Sequence, residues 1–161
     1  MKTKNKKNGF GLLEAIISVA IAAVLLLSLT LLTTQSAKAA RSNAKTLKAL
    51  IYSQELLEIA KDLERSGWDN EILKPECASP SACHPEISGG SWVLLPGAEE
   101  VEDFYTRFVT IEPVCRDAAK KIAACDGTND SPETKKVTAI LQWEEEGAPK
   151  ELKLETYVYK F

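Results

Sequence analysis

The sequence predicts an α+β chain: one long N-terminal helix packed on a four-stranded antiparallel sheet. Three observations carry that prediction. No glycine or proline lies between Leu12 and Ser66, and since both residues break helices, one continuous helix can fill the interval. The first part of that helix is apolar on every side and follows a lysine-rich start. Beyond Gly67 the helical period ends, and four short stretches alternate apolar and polar side chains as half-buried strands do.

Residues 2–7 (KTKNKK) hold four lysines and no acid, and residues 15–32 hold no charged side chain. From Phe10 to Leu32 a helix would extend about 35 Å at ~1.5 Å per residue, enough for a hydrocarbon core of about 30 Å. The run exceeds the roughly 7–15 apolar residues of a cleaved secretory signal. Basic residues ahead of a span stay in the cytoplasm, which puts everything after Leu32 on the outside. The expected organisation is therefore residues 1–9 as a basic start on the cytoplasmic side, 10–33 as the membrane half of the helix, and 34–161 as an exported domain that includes the helix's second half. Setting aside the four prefix lysines, the 20 basic side chains fall to 16 against 23 acidic ones, a net of −7. Such a body is poorly suited to neutralising phosphates, so no specific nucleic acid is expected as a partner.

The exposed half of the helix shows two apolar stripes. Leu47, Leu50, Ile51 and Leu57 fall on one side, and Tyr52, Leu56, Ile59, Ala60 and Leu63 fall roughly opposite. A soluble helix normally has one apolar face, so one stripe is expected on the chain's own sheet and the other on a neighbour. Lys38, Arg41, Lys45 and Lys48 are expected to remain solvated where the helix leaves the membrane. Gly67 suits a C-terminal glycine cap. Residues 68–90, rich in Pro, Ser, Gly and Cys, read as a loop with a turn at Gly89-Gly90. The expected strands are Ser91–Leu95, Phe104–Glu112, Lys136–Glu145 and Glu151–Lys160, the last two joined by a hairpin link over Glu146–Lys150. Between the second and third lies a long connection, Pro113–Lys135, whose Ala-Ala-Lys-Lys-Ile-Ala-Ala stretch is expected to make one helical turn.

Four cysteines in a small exported domain point to disulfides. Three pairings are possible. Cys77–Cys83 and Cys115–Cys125 are favoured because each closes a short polar segment. The competing reading, a zinc site from these cysteines and His84, does not fit the usual paired Cys-x2-4-Cys spacing, so neither a metal nor another cofactor is expected. An exported enzyme is the other rival. Asp103, Asp117 and Asp126 have no spacing that selects an acid pair, and His84 sits between Cys83 and Pro85 with no oxyanion or phosphate loop nearby. No catalytic residue is assigned.

The most specific stretch is Lys6-Lys7-Asn8-Gly9-Phe10-Gly11-Leu12-Leu13-Glu14. A lone acid within an apolar span costs about 2.5–3.5 kcal/mol at the bilayer centre and less near its edge, and usually has a partner or a task. Scission between Gly9 and Phe10 would create an amine one helical turn from Glu14. A basic leader, a glycine, Phe10 and a glutamate at the fifth position after the cut, all leading into the apolar run, together resemble the type IV pilins and type II secretion pseudopilins. The resemblance implies cleavage after Gly9 and N-methylation of Phe10 by a prepilin peptidase, with Glu14 aiding assembly. It further implies other pilins, an assembly platform and the cytoplasmic membrane as partners, and a cell-surface filament as destination. Rival readings of the same segment are a plain signal anchor and signal peptidase cleavage after Ala39, where Ala37-Lys38-Ala39 has the small-x-small form but lies beyond the apolar run. Many pilins carry a proline or glycine in the membrane half, and its absence here implies a straighter helix. Q-E-L-L-E-I-A-K-D-L near the helix end, Trp143 in V-T-A-I-L-Q-W, the Gly147 turn and L-x-L-E-T resemble the PilV-like minor pilins. A filament subunit is thus the expected function, either a minor pilin or a secretion pseudopilin. A membrane-anchored or tip-located adhesion module acting through the two cysteine loops is the alternative.

Overall fold

The computed structural model describes residues 10–125 and 130–160, with the side chains of Phe10 and Asp130 left aside. Helix α1 is a single element, Phe10–Ser66. The chain divides into two units, the first ending at Ala44 and the second beginning at Lys45.

In the second unit the helix lays one face on a sheet. Ala49, Leu56, Ile59, Ala60 and Leu63 are buried in one cluster with Leu94, Tyr105, Val109, Val137, Leu141 and Val158. Their spacing by three and four residues gives a single core-facing stripe. Ser53 lies in that stripe without exposure, and its hydroxyl donates to the Ala49 carbonyl at 2.9 Å, so no donor is stranded. The second sequence stripe splits. Leu57 packs partly on the core, Leu50 is half-buried, and Leu47 and Ile51 stay 59% and 54% exposed.

Gly67 is not the expected left-handed cap. Its φ is −139°, and the chain continues into a π-helical turn, Trp68–Ile72. A Cβ there would lie tightly against two side chains, 3.1 Å from Glu71 Cγ and 3.3 Å from Leu63 Cδ2. A short 3-10 turn, Pro75–Cys77, follows.

Among the described residues the sheet is antiparallel and holds seven strands, not four: β1 Cys83–Ser88, β2 Ser91–Pro96, β3 Glu99–Val101, β4 Tyr105–Arg116, β5 Ile122–Ala123, β6 Asp130–Glu145 and β7 Ala148–Tyr159. Its order is β2-β1-β4-β6-β7, with β3 and β5 also pairing to β4. Three expectations are corrected here. Part of the supposed loop 68–90 is strand β1, paired with β2 across a Gly89-Gly90 turn in which both residues have positive φ. The stretch expected as a helical turn contributes β5, with Cys115 opposite Ala123 and Arg116 opposite Ile122. Strands β4 and β6 run deeper into the supposed connection, with a register shift between Pro113 and Val114. Proline cannot donate to a ladder and is tolerated at such irregularities. The hairpin link is tighter than expected: Glu146 and Gly147 both have positive φ, and β7 begins at Ala148.

Candidate functional site

Two places on the chain are candidates for function: the start of α1 and the rim where β3 and β4 meet the helix. At the first, Gly9 and the prefix lysines lie outside the described residues. Phe10 opens the helix, and Glu14 is exposed one turn later on the same face. Among the described residues no side chain donates to the Glu14 carboxylate. Every described residue from Gly11 to Arg41 is exposed, including Leu12, Val19 and Leu27 at 70%, 69% and 65%. Ala15, Ala20 and Ala23 form a shallow apolar groove with Leu12, Ile16 and Val19.

Five hydroxyls within this run are satisfied by the helix itself. Ser18 and Ser28 donate to the carbonyls of Glu14 and Val24, each at 2.8 Å. Thr30, Thr33 and Thr34 donate three residues back, at 2.8–2.9 Å. Hydroxyls closed in this way need no water, so they do not prevent transfer to a water-free medium. The helix is long and apolar enough to cross a membrane. So large an uncovered apolar surface is not stable in water. Lipid can cover it, and so can other helices like it.

At the second place, Lys48 and Tyr52 on α1 both donate to the Glu102 carboxylate, Tyr52 at 2.8 Å. These bonds, from Lys48 first and Tyr52 second, hold the Glu102 carboxyl below its ordinary value. The same contacts push Lys48 and Tyr52 up. Glu102 and Asp103 adopt positive φ, 56° and 51°, in the turn from β3 to β4. The Lys45 ammonium lies 4.7 Å from the Phe104 ring centre, and Tyr105 donates to the Lys45 carbonyl at 3.1 Å. Lys45 and Lys48 thus contact the domain, while the Lys48 side chain stays 46% exposed. Behind them Arg107, only 8% exposed, donates to Glu99 at 2.7 Å and Glu55 at 3.2 Å. Together these contacts clamp the β3–β4 hairpin to the helix. Sequence reasoning missed Glu102, Arg107 and Glu55, because partners 50 or more residues apart leave no local spacing.

Cys77 is bonded to Cys83 and Cys115 to Cys125. The first bridge is buried, both sulfurs lying in residues with no exposure. The second ties β5 to the end of β4, with Cys125 exposed. With the cysteines so committed, the zinc reading loses its ligands, and the His84 Nδ1 lies 3.2 Å from the Gly97 carbonyl. Among the described residues no cluster of metal-ligating side chains forms. Asp117 accepts from the Ala119 and Lys121 amides at 2.9 Å as a turn former, Asp103 sits exposed in the β3–β4 turn, and Asp126 lies outside the described residues.

Comparison with known proteins agrees with the N-terminal geometry. The model of the prokaryotic N-terminal methylation motif matches residues 4–30. No curated protein and no solved structure matches the chain. The matched interval runs from the lysine-rich prefix across Gly9, Phe10 and Glu14 to Thr30, and so into the uncovered apolar helix. The chain therefore carries the N-terminal methylation signature that marks type IV pilins and pseudopilins, at the head of a helix long and apolar enough to cross a membrane.

Proposed function

We propose that this chain is a minor pilin or pseudopilin that waits in the cytoplasmic membrane, prefix inward, and is drawn from there into a type IV pilus-like filament at the cell surface. One observation carries the reading: the methylation motif at residues 4–30 coincides with the first part of a helix whose apolar side chains there are uncovered all round. Prepilin peptidase cuts after Gly9 and methylates the new amine of Phe10. The chain then needs no catalytic group of its own. Its apolar helix is nearly as stable among like helices as in lipid, because lipid tails and leucines are similarly apolar. An assembly platform can therefore move the subunit between the two with little intrinsic bias.

Glu14 sets the register. An ionised carboxylate without a partner is penalised in a helix bundle, and one beside the amine of a neighbouring Phe10 is not. In this role Glu14→Ala leaves membrane insertion intact and abolishes incorporation into filaments. Normal incorporation of Glu14→Ala, scored by its abundance in sheared filaments against the membrane fraction, would remove the proposed role. The two disulfides hold the exported domain against unfolding outside the cell, where thiols are oxidised.

A further inference from the structure

The two edges of the sheet are treated differently. On the β2 edge, the Leu94 amide donates to Glu71 Oε2 at 2.6 Å, and its carbonyl accepts from Lys74 Nζ at 2.7 Å. Those side chains occupy the groups an incoming strand would use. The β7 edge is longer and open. Glu146 and Gly147, with φ of 52° and 78°, make a two-residue turn, so Glu145 and Ala148 form its closing hydrogen-bonded pair. Hydrogen-bonded pairs recur every second residue. Lys150, Leu152, Leu154, Thr156 and Val158 therefore direct their backbone groups to β6. Glu151, Lys153, Glu155 and Tyr157 direct theirs away from the sheet, where no strand lies among the described residues. The same alternation puts the Tyr159 amide on the open side, and it is capped there by Glu64 Oε1 at 2.6 Å. The open stretch is thus Glu151–Tyr157, stopped at its end by that cap.

We propose that this stretch is a docking edge for β7 of a second copy of the chain, added antiparallel with Lys153 opposite Glu155. The charge order selects that partner. Glu151, Lys153 and Glu155 alternate in sign, so in this register Lys153 of each copy faces Glu155 of the other, and like charges never stand opposite. On the inner face Leu154 meets Leu154 at the two-fold axis, and Leu152 meets Thr156. All three are half-exposed at the border of the sheet and become covered. Lys153 exchanges its present neighbour, Glu151 at 2.7 Å on the same strand, for an acid across the new ladder.

The symmetry has a consequence. The two-fold axis stands perpendicular to the sheet, and the Lys45–Ser66 part of α1 lies along the sheet. The two helices therefore run in opposite directions. The pairing itself does not rest on the proposed function.

The test uses the full chain in mild detergent, so a failed result bears on the edge alone and not on filament assembly. Sedimentation should show a concentration-dependent dimer that Lys153→Glu weakens at least tenfold and that Lys153→Glu/Glu155→Lys restores. Mild oxidation of Leu154→Cys should link two chains through that cysteine, and Leu152→Cys should link to Thr156→Cys but not to itself. A chain that stays monomeric, a dimer indifferent to Lys153→Glu, or a dimer that instead cross-links through Ile51→Cys on the exposed helix stripe would overturn the proposal.

Discussion

Removing each disulfide in turn separates chain entropy from burial as the source of its stabilisation. Loop-closure entropy depends on span, and the two bridges span 6 and 10 residues. That relation assigns about 2.2 kcal/mol to Cys77–Cys83 and about 2.7 kcal/mol to Cys115–Cys125. On entropy alone, the second bridge matters more. Burial reverses the order. Cys77 and Cys83 have no exposure, and Cys83 sits at the one register point where β1 pairs with β4, opposite Val109. Truncating both to alanine withdraws two well-packed sulfurs, each comparable to at least one buried methylene at about 0.8 kcal/mol plus a cavity term. Cys115 is buried but Cys125 is exposed, so one sulfur is lost from packing there. The expected costs are about 4–5 kcal/mol for Cys77→Ala/Cys83→Ala and about 3.6–4.1 kcal/mol for Cys115→Ala/Cys125→Ala. Urea unfolding of the full chain in detergent, followed by tryptophan emission, reads both, since Trp68, Trp92 and Trp143 all belong to the second unit. A larger loss for the Cys115 and Cys125 pair would show that packing around the first bridge contributes nothing beyond loop closure.

Other outcomes follow from single contacts. Glu102 has its carboxyl lowered in the folded state, so its contribution is full above the ordinary value of 4.5 and fades as pH falls through the lower folded value. Glu102→Gln should flatten the acid limb of the stability–pH curve, and an unchanged limb would show that the clasp with Lys48 and Tyr52 is idle. Gly147→Ala should cost about 1 kcal/mol, because φ is +78° although a Cβ there would meet nothing within 4 Å; an unchanged unfolding midpoint would mean the turn relaxes freely. Leu63→Ala should cost about 2–5 kcal/mol, since that side chain is 1% exposed between helix and sheet. Ile51→Ala, at 54% exposed, should leave the isolated subunit unchanged and so provides the control.

Much of this was readable from residue order because the signals are local. The gap-free run from Leu12 to Ser66 became a helix over its whole length. The alternation in Val137, Ala139, Leu141 and Trp143 became the buried face of β6. Strand β1 was hidden because Cys83, Pro85 and the Gly89-Gly90 turn look like loop composition, while its pairing with β2 is set across the turn. The strand β5 was hidden because alanine and lysine favour helix in isolation, and pairing with β4 overrides that preference. Gly67 looked like a left-handed cap, but its φ is −139° and the chain continues there into a π-helical turn, which no sequence rule reveals. The Glu102 and Arg107 contacts join distant segments and were invisible for the same reason. The N-terminal site is the opposite case. Its whole signature lies in contiguous residues, from the prefix lysines through Gly9, Phe10 and Glu14 into the apolar run.

Intact-mass measurement of the protein extracted from membranes and from filaments tests the central claim most directly. The account predicts one species that begins at N-methylated Phe10 and retains the apolar helix. A chain that still carries Met1–Gly9 in the filament fraction, or one that begins at Ala40 after loss of the helix's first half, would contradict it.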